Sequence, residues 1–107
     1  MRMLAGLVVM AALGATAASA QPGRLSDVAY LQAARCVGLA SSGKLAVSDA
    51  EDMTAWLRTQ SAGRPQFILE KADQMERDAR RQASHAGEET KVRLNSELQG
   101  ACAQLKG

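Results

Sequence analysis

Two cysteines, Cys36 and Cys102, set the strongest constraint on how this chain can fold. The sequence contains no others, so each has one possible partner within the chain. A disulfide requires Cα atoms within about 7 Å of each other. We therefore predict a Cys36–Cys102 bridge that places helices from opposite ends of the folded region side by side. By the chain-entropy estimate, closing a loop of this length stabilises the fold by roughly 4 kcal/mol.

The first 20 residues are typical of a cleavable signal peptide. They begin with a positive charge, continue as an apolar run over residues 4–13, and end with Ala18 and Ala20 in the Ala-x-Ala spacing that signal peptidase recognises. We expect cleavage between Ala20 and Gln21 and export to the periplasm or the medium, where cysteine pairs are oxidised. The apolar run is shorter than the roughly 20 residues that span a membrane, so we expect a soluble mature chain.

Residues 21–107 are predicted to form a single all-α domain. Their aromatic residues are one tyrosine, one tryptophan and one phenylalanine, so alanine and aliphatic side chains must supply most of the core. That composition favours helices over strands. Removing Arg2 with the leader lowers the 13 basic residues to 12, against 11 acidic residues. This near balance predicts neither a nucleic acid nor an acidic polymer as partner.

Capping signals mark the first two of four predicted helices; a three-helix bundle is the alternative. The first helix begins after an N-cap at Ser26 and runs to residues 41–42. Within it, Gly38 is expected to permit close approach of a neighbouring backbone. The second begins at a capping box over residues 48–51 and ends near residues 61–62. Its apolar stripe follows helical spacing: Met53, Trp56, Leu57 and Gln60.

A long third helix is predicted from Pro65 onward, with a seam of mostly small apolar residues at steps of three or four. The seam consists of Ile68, Ala72, Met75, Ala79, Ala83 and Ala86. Alanine lets the helix approach a neighbour closely but buries little apolar area. Two interpretations stay open. The fourth helix packs on the seam and completes the core, or the stretch Ala72, Met75, Ala79 and Ala83 is a contact surface for a partner.

Gly87 is predicted to separate the third helix from a fourth, because a continuous helix over residues 65–105 would be about 60 Å long, too long for a domain of this size. Glu88 and Glu89 suit the first turn of the new helix. The predicted apolar stripe of this helix is Leu94, Leu98, Ala101, Cys102 and Leu105.

The charged residues of the sequence are explained by their contribution to helix stability rather than by a role in binding or catalysis. Arg77, Arg80 and Arg81 are interleaved with acidic residues, which favours a salt-bridged face over an anion site. The acids at 49, 51 and 52 are typical of a helix first turn and lack the pattern of a calcium loop. His85 is expected to be a helix-end cation, since no nucleophile lies nearby in sequence for it to activate as a base.

No catalytic motif is found: paired carboxylates, a nucleophile with a base, and metal-ligand spacing are all missing from the sequence. In size, helicity and a cysteine pair that spans most of the domain, the chain resembles periplasmic acid-stress chaperones. We expect a binding or interaction module of the cell envelope without catalytic activity; the alternative is a periplasmic stress protein or chaperone. The expected partner is an envelope protein or a second copy of the chain. No cofactor and no metal are expected.

Overall fold

The computed structural model describes residues 23–47 and 49–106, with side chains described up to residue 105. These residues form an all-α bundle without strands. The leader and the cleavage site at Ala20 and Gln21 lie outside the described residues. The four helices are α1 (Asp27–Ala40), α2 (Ala50–Thr59), α3 (Gln66–Ser84) and α4 (Glu88–Glu97). The last helix continues through a π-helical segment (Leu98–Cys102) into an α-helical turn (Ala103–Lys106).

The helix α1 lies at the centre of the bundle, where it contacts α2, α3 and the π-helical segment. From Cys36 to Ala40 every residue is buried. Its most extensive contact is with α3. A Cβ built on Gly38 would lie 2.2 Å from the backbone oxygen of Glu76 and 2.9 Å from the Cβ of Ala79. The predicted close approach at Gly38 is therefore confirmed, and its neighbour is α3.

The alanine seam of α3 forms part of the core. The exposed fraction is at most 3% for Ala72, Ala79 and Ala83, while Met75 is half-buried. The expectation that α4 would pack on this seam is wrong, because α1 covers it. Small side chains on α3 and a glycine on α1 together let the two backbones approach closely.

Helix ends follow the predicted signals with two differences. The hydroxyl of Ser26 accepts a hydrogen bond from the Ala29 amide at 3.1 Å, which confirms the first N-cap. The helix α2 begins after Asp49, whose side chain makes no capping hydrogen bond; Ser48, the predicted cap, lies outside the described residues. It also ends before residues 61–62. There the Thr59 and Ser61 hydroxyls donate to backbone oxygens three residues earlier, which competes with further helix.

The break before α4 is confirmed. His85 is the C-cap of α3, and Gly87 is the N-cap of α4, with Glu88 and Glu89 in the following first turn. The predicted apolar stripe of α4 is wrong at one position. Ala101 is exposed, whereas Leu98 and Cys102 are buried. A π-helical turn holds more residues than an α-helical turn, so residue 101 is rotated away from the face that Leu98 occupies.

Arg64, between α2 and α3, is a buried cation that the sequence patterns did not reveal. Its side chain is 2% exposed and forms an ion pair of 2.7 Å with Asp27. The same guanidinium donates to the backbone oxygens of Leu25 at 2.7 Å and Gln60 at 2.6 Å. It also lies 4.3 Å from the ring centre of Tyr30. Burial is the main cause that raises the pKa of the Tyr30 hydroxyl. These contacts hold the start of α1 against the turn before α3.

We expect Arg64→Ala to lower the free energy of unfolding by about 2 kcal/mol, because Asp27 and two backbone oxygens lose a charged donor. The matched control is Arg77→Ala, which removes an exposed pair with Asp73 one turn away. That pair should contribute less than about 0.5 kcal/mol. Urea denaturation followed by circular dichroism measures both. Equal midpoints for the two variants would contradict a stabilising role for Arg64.

None of the described helices combines the length and the apolar character needed to cross a membrane.

Candidate binding groove beside the disulfide

The predicted disulfide is present. It joins α1 to the π-helical segment, with the Cα atoms of Cys36 and Cys102 5.8 Å apart and both residues buried. Beside it, Arg35 forms a two-pronged ion pair with Glu97, with N–O distances of 2.7 and 3.0 Å. Hydrogen bonding to Glu97 is the main cause of a raised Arg35 pKa. Arg35 also donates to Gln82 on α3 at 2.9 Å, so one side chain links three helices.

An open groove with a volume of about 630 Å³ lies along the disulfide. This volume is within the range typical of sites for small molecules. We call it the Trp56 groove. Its floor comes from α1, one wall from α2 and the loop before it, and the other wall from the C-terminal end of the chain. The lining residues are Ala33, Cys36, Ala46, Val47, Asp49, Met53, Trp56, Leu98, Gln99, Cys102, Ala103 and Leu105.

Small side chains on the floor and large ones on the walls create this space. Ala33 contributes little volume, whereas Met53 and Trp56 project from one face of α2. The loop wall is held in place because the amide of Ala46 donates to the side chain of Asn95 on α4 at 2.8 Å. The opposite wall includes the π-helical segment, which the disulfide ties to the floor. The groove is therefore built from three parts of the chain with fixed relative positions.

The charge of the groove is concentrated at one position. Among the described residues that line it, Asp49 alone is charged, and Gln99 on the opposite wall is the other polar side chain. Asp49 is exposed, and no described basic side chain forms an ion pair with it. A shallow recess shares Val47 and Asp49 with the groove and continues to Glu51 and Asp52. The groove thus has an apolar body and an acidic end.

The four residues predicted as a contact surface do not line this groove. Ala72, Ala79 and Ala83 lie in the contact between α1 and α3, which favours their interpretation as core. The sequence pattern predicts Trp56 only as a member of the apolar stripe of α2. No local signal indicated that a half-buried tryptophan would face a cavity, because the C-terminal wall comes from residues more than 40 positions away.

The arginine cluster is a salt-bridged face, as predicted. Arg77 pairs with Asp73, Arg80 with Glu76 at 2.7 Å, and Arg81 with Asp78. An anion would have to displace these partners. Within the part of the chain that the structure describes, no three His, Cys, Asp or Glu side chains are grouped to hold a metal ion.

Comparison with known proteins found no matching family model, no similar curated protein and no similar solved structure.

Proposed function

We propose that this is a small exported protein of the cell envelope that binds an apolar ligand in the Trp56 groove and acts without catalysis. The groove itself carries the proposal. It combines a volume suited to a small molecule with walls of Met53, Trp56, Leu98 and Leu105. Large apolar walls with few polar groups are typical of ligand sites.

Export is supported by the leader sequence and by the disulfide. A buried disulfide is compatible with an oxidising compartment such as the periplasm or the medium. The bridge ties one wall of the groove to its floor, so the environment that oxidises the cysteines also completes the proposed binding site.

The test uses N-phenyl-1-naphthylamine, an uncharged apolar dye. Trp56 is the chain's single tryptophan, so its fluorescence reports on the groove without interference from other indoles. We expect saturable binding with a Kd of roughly 10–100 μM, the affinity range of a modest apolar ligand of this size. Energy transfer from Trp56 to the dye should accompany it. Binding that shows no energy transfer from Trp56 would contradict the groove as the site.

Two variants make this test specific. Ala103→Phe places a ring in the groove from an exposed position on its wall and removes nothing from the core, so it should abolish dye binding and keep the helical signal. Phe67→Ala is the matched control, because Phe67 is 69% exposed and does not line the groove. It should leave binding unchanged.

A chaperone is the second candidate, since three large apolar side chains, Val28, Phe67 and Val92, are each at least 66% exposed. Exposed apolar surface is what a chaperone offers an unfolded client. The same variants separate the two functions. Suppression of client aggregation that is lost in Phe67→Ala and kept in Ala103→Phe would favour the chaperone. Dye binding that is lost in Ala103→Phe and kept in Phe67→Ala, without suppression of aggregation, would favour the groove.

A further inference from the structure

We infer that the Trp56 groove selects a cationic amphiphile, a molecule with an apolar chain and a positively charged end. The chain lies on Met53 and Trp56, and the charged end pairs with Asp49. This inference rests on the proposed function, because it names the class of ligand that the groove binds.

The alignment of three residues on α2 gives the ligand its direction. Asp49, Met53 and Trp56 are spaced four and three residues apart, so they follow one face of the helix, and all three line the groove. At 1.5 Å per residue, Asp49 and Trp56 are separated by about 10 Å along the helix axis. A linear molecule can therefore contact Trp56 with its chain and reach Asp49 with its end.

The acidic side chains near the start of α2 favour a positive charge at the end of the ligand. Asp49 is the one charged lining residue among those described, and Glu51 and Asp52 extend the acidic region beyond it. The helix dipole places about half a positive charge at the start of α2, which three carboxylates outweigh. The Asp49 side chain is not engaged as a helix cap. Within the described part of the chain no ion pair occupies its carboxylate either, which leaves it open to a ligand.

Net charge does not supply this preference. Residues 21–107 carry 12 basic and 11 acidic side chains, so long-range attraction favours neither sign strongly. A preference for cations must then come from the groove itself. Gln99, on the opposite wall, is uncharged and does not offset the carboxylate.

The experiment compares three probes with ten-carbon chains, counting the carboxylate carbon of the last: decyltrimethylammonium, decyl maltoside and decanoate. Each is titrated below its micelle concentration into the oxidised mature protein, with Trp56 fluorescence for binding and circular dichroism for the fold. We expect the cation to bind roughly tenfold more tightly than the anion, with the uncharged compound between them. The preference should shrink as salt is added.

Asp49→Asn isolates the carboxylate, because asparagine serves equally well at an N-cap and should keep α2 intact. We expect it to weaken decyltrimethylammonium binding about three- to fivefold and to leave decyl maltoside unchanged. The matched control is Glu89→Gln, a first-turn acid of α4 that does not line the groove. It should change neither affinity.

The outcomes separate this inference from the proposed function. Equal affinities for all three probes would overturn the cationic preference and leave an apolar site. Tighter binding of decanoate, or an Asp49→Asn variant that keeps the full preference, would also overturn it. Binding of none of the probes, together with binding of an amphipathic Leu/Lys helical peptide, would overturn both and assign the groove to a protein partner.

Discussion

Replacing both cysteines by alanine is expected to lower the free energy of unfolding by roughly 4 kcal/mol, the value for opening a loop of this length. The bridge joins residues 66 positions apart, so the unfolded chain gains many conformations without it. Small domains have little stability in reserve, and total values start near 5 kcal/mol. Alanine is preferred to serine because both sites are buried, where an unpaired hydroxyl would add its own cost. Urea denaturation at fixed pH measures the difference.

The loss should begin at the C-terminal end of the chain. Beyond the disulfide, the described contacts that hold this end to α1 are the Arg35–Glu97 ion pair and the buried side chains of Leu94 and Leu98. Amides of residues 98–105 should therefore exchange with solvent faster in the double variant, while those of α1 and α3 change less. Protein isolated without a reducing agent should contain no free thiol after unfolding. Two reactive thiols, or equal urea midpoints for the two proteins, would contradict this prediction.

Features that depend on a few neighbouring residues were predictable from the sequence. The cap at Ser26, the break at Gly87 and the ion pairs of α3 each involve residues within five positions of one another. Their geometry follows from a single helical turn, so no knowledge of the tertiary structure is needed. The disulfide was also predictable, because two cysteines leave one pairing within the chain.

Features that depend on distant segments were not predictable. Arg64 pairs with a residue 37 positions away, and no periodic pattern marks such a contact. The alanine seam was recognised, but its neighbour is α1 rather than α4, because helical spacing shows which face is apolar and not what covers it. The π-helical segment rotated Ala101 outward and shaped one wall of the groove. A prediction that assumes α-helical spacing does not include this rotation.

Gly38→Ala is expected to destabilise the fold by about 3 kcal/mol, although alanine normally stabilises a helix by up to about 1 kcal/mol relative to glycine. The added methyl would lie 2.2 Å from the backbone oxygen of Glu76, and backbone cannot turn aside as a side chain can. The helices α1 and α3 must therefore separate, which loosens the packing of the buried alanines between them. Thermal and urea unfolding of the oxidised protein measure the effect.

Two further variants show whether the close approach is the cause. Gly100→Ala is the matched control, since a Cβ at that helical position meets nothing within 4 Å, and it should be neutral or slightly stabilising. Adding Ala79→Gly to Gly38→Ala removes the 2.9 Å contact with the Ala79 Cβ but keeps the one with the Glu76 backbone. Recovery should therefore be partial at most. If Gly38→Ala is as stable as the parent protein, or if Ala79→Gly restores it fully, the backbones of α1 and α3 do not meet at Gly38.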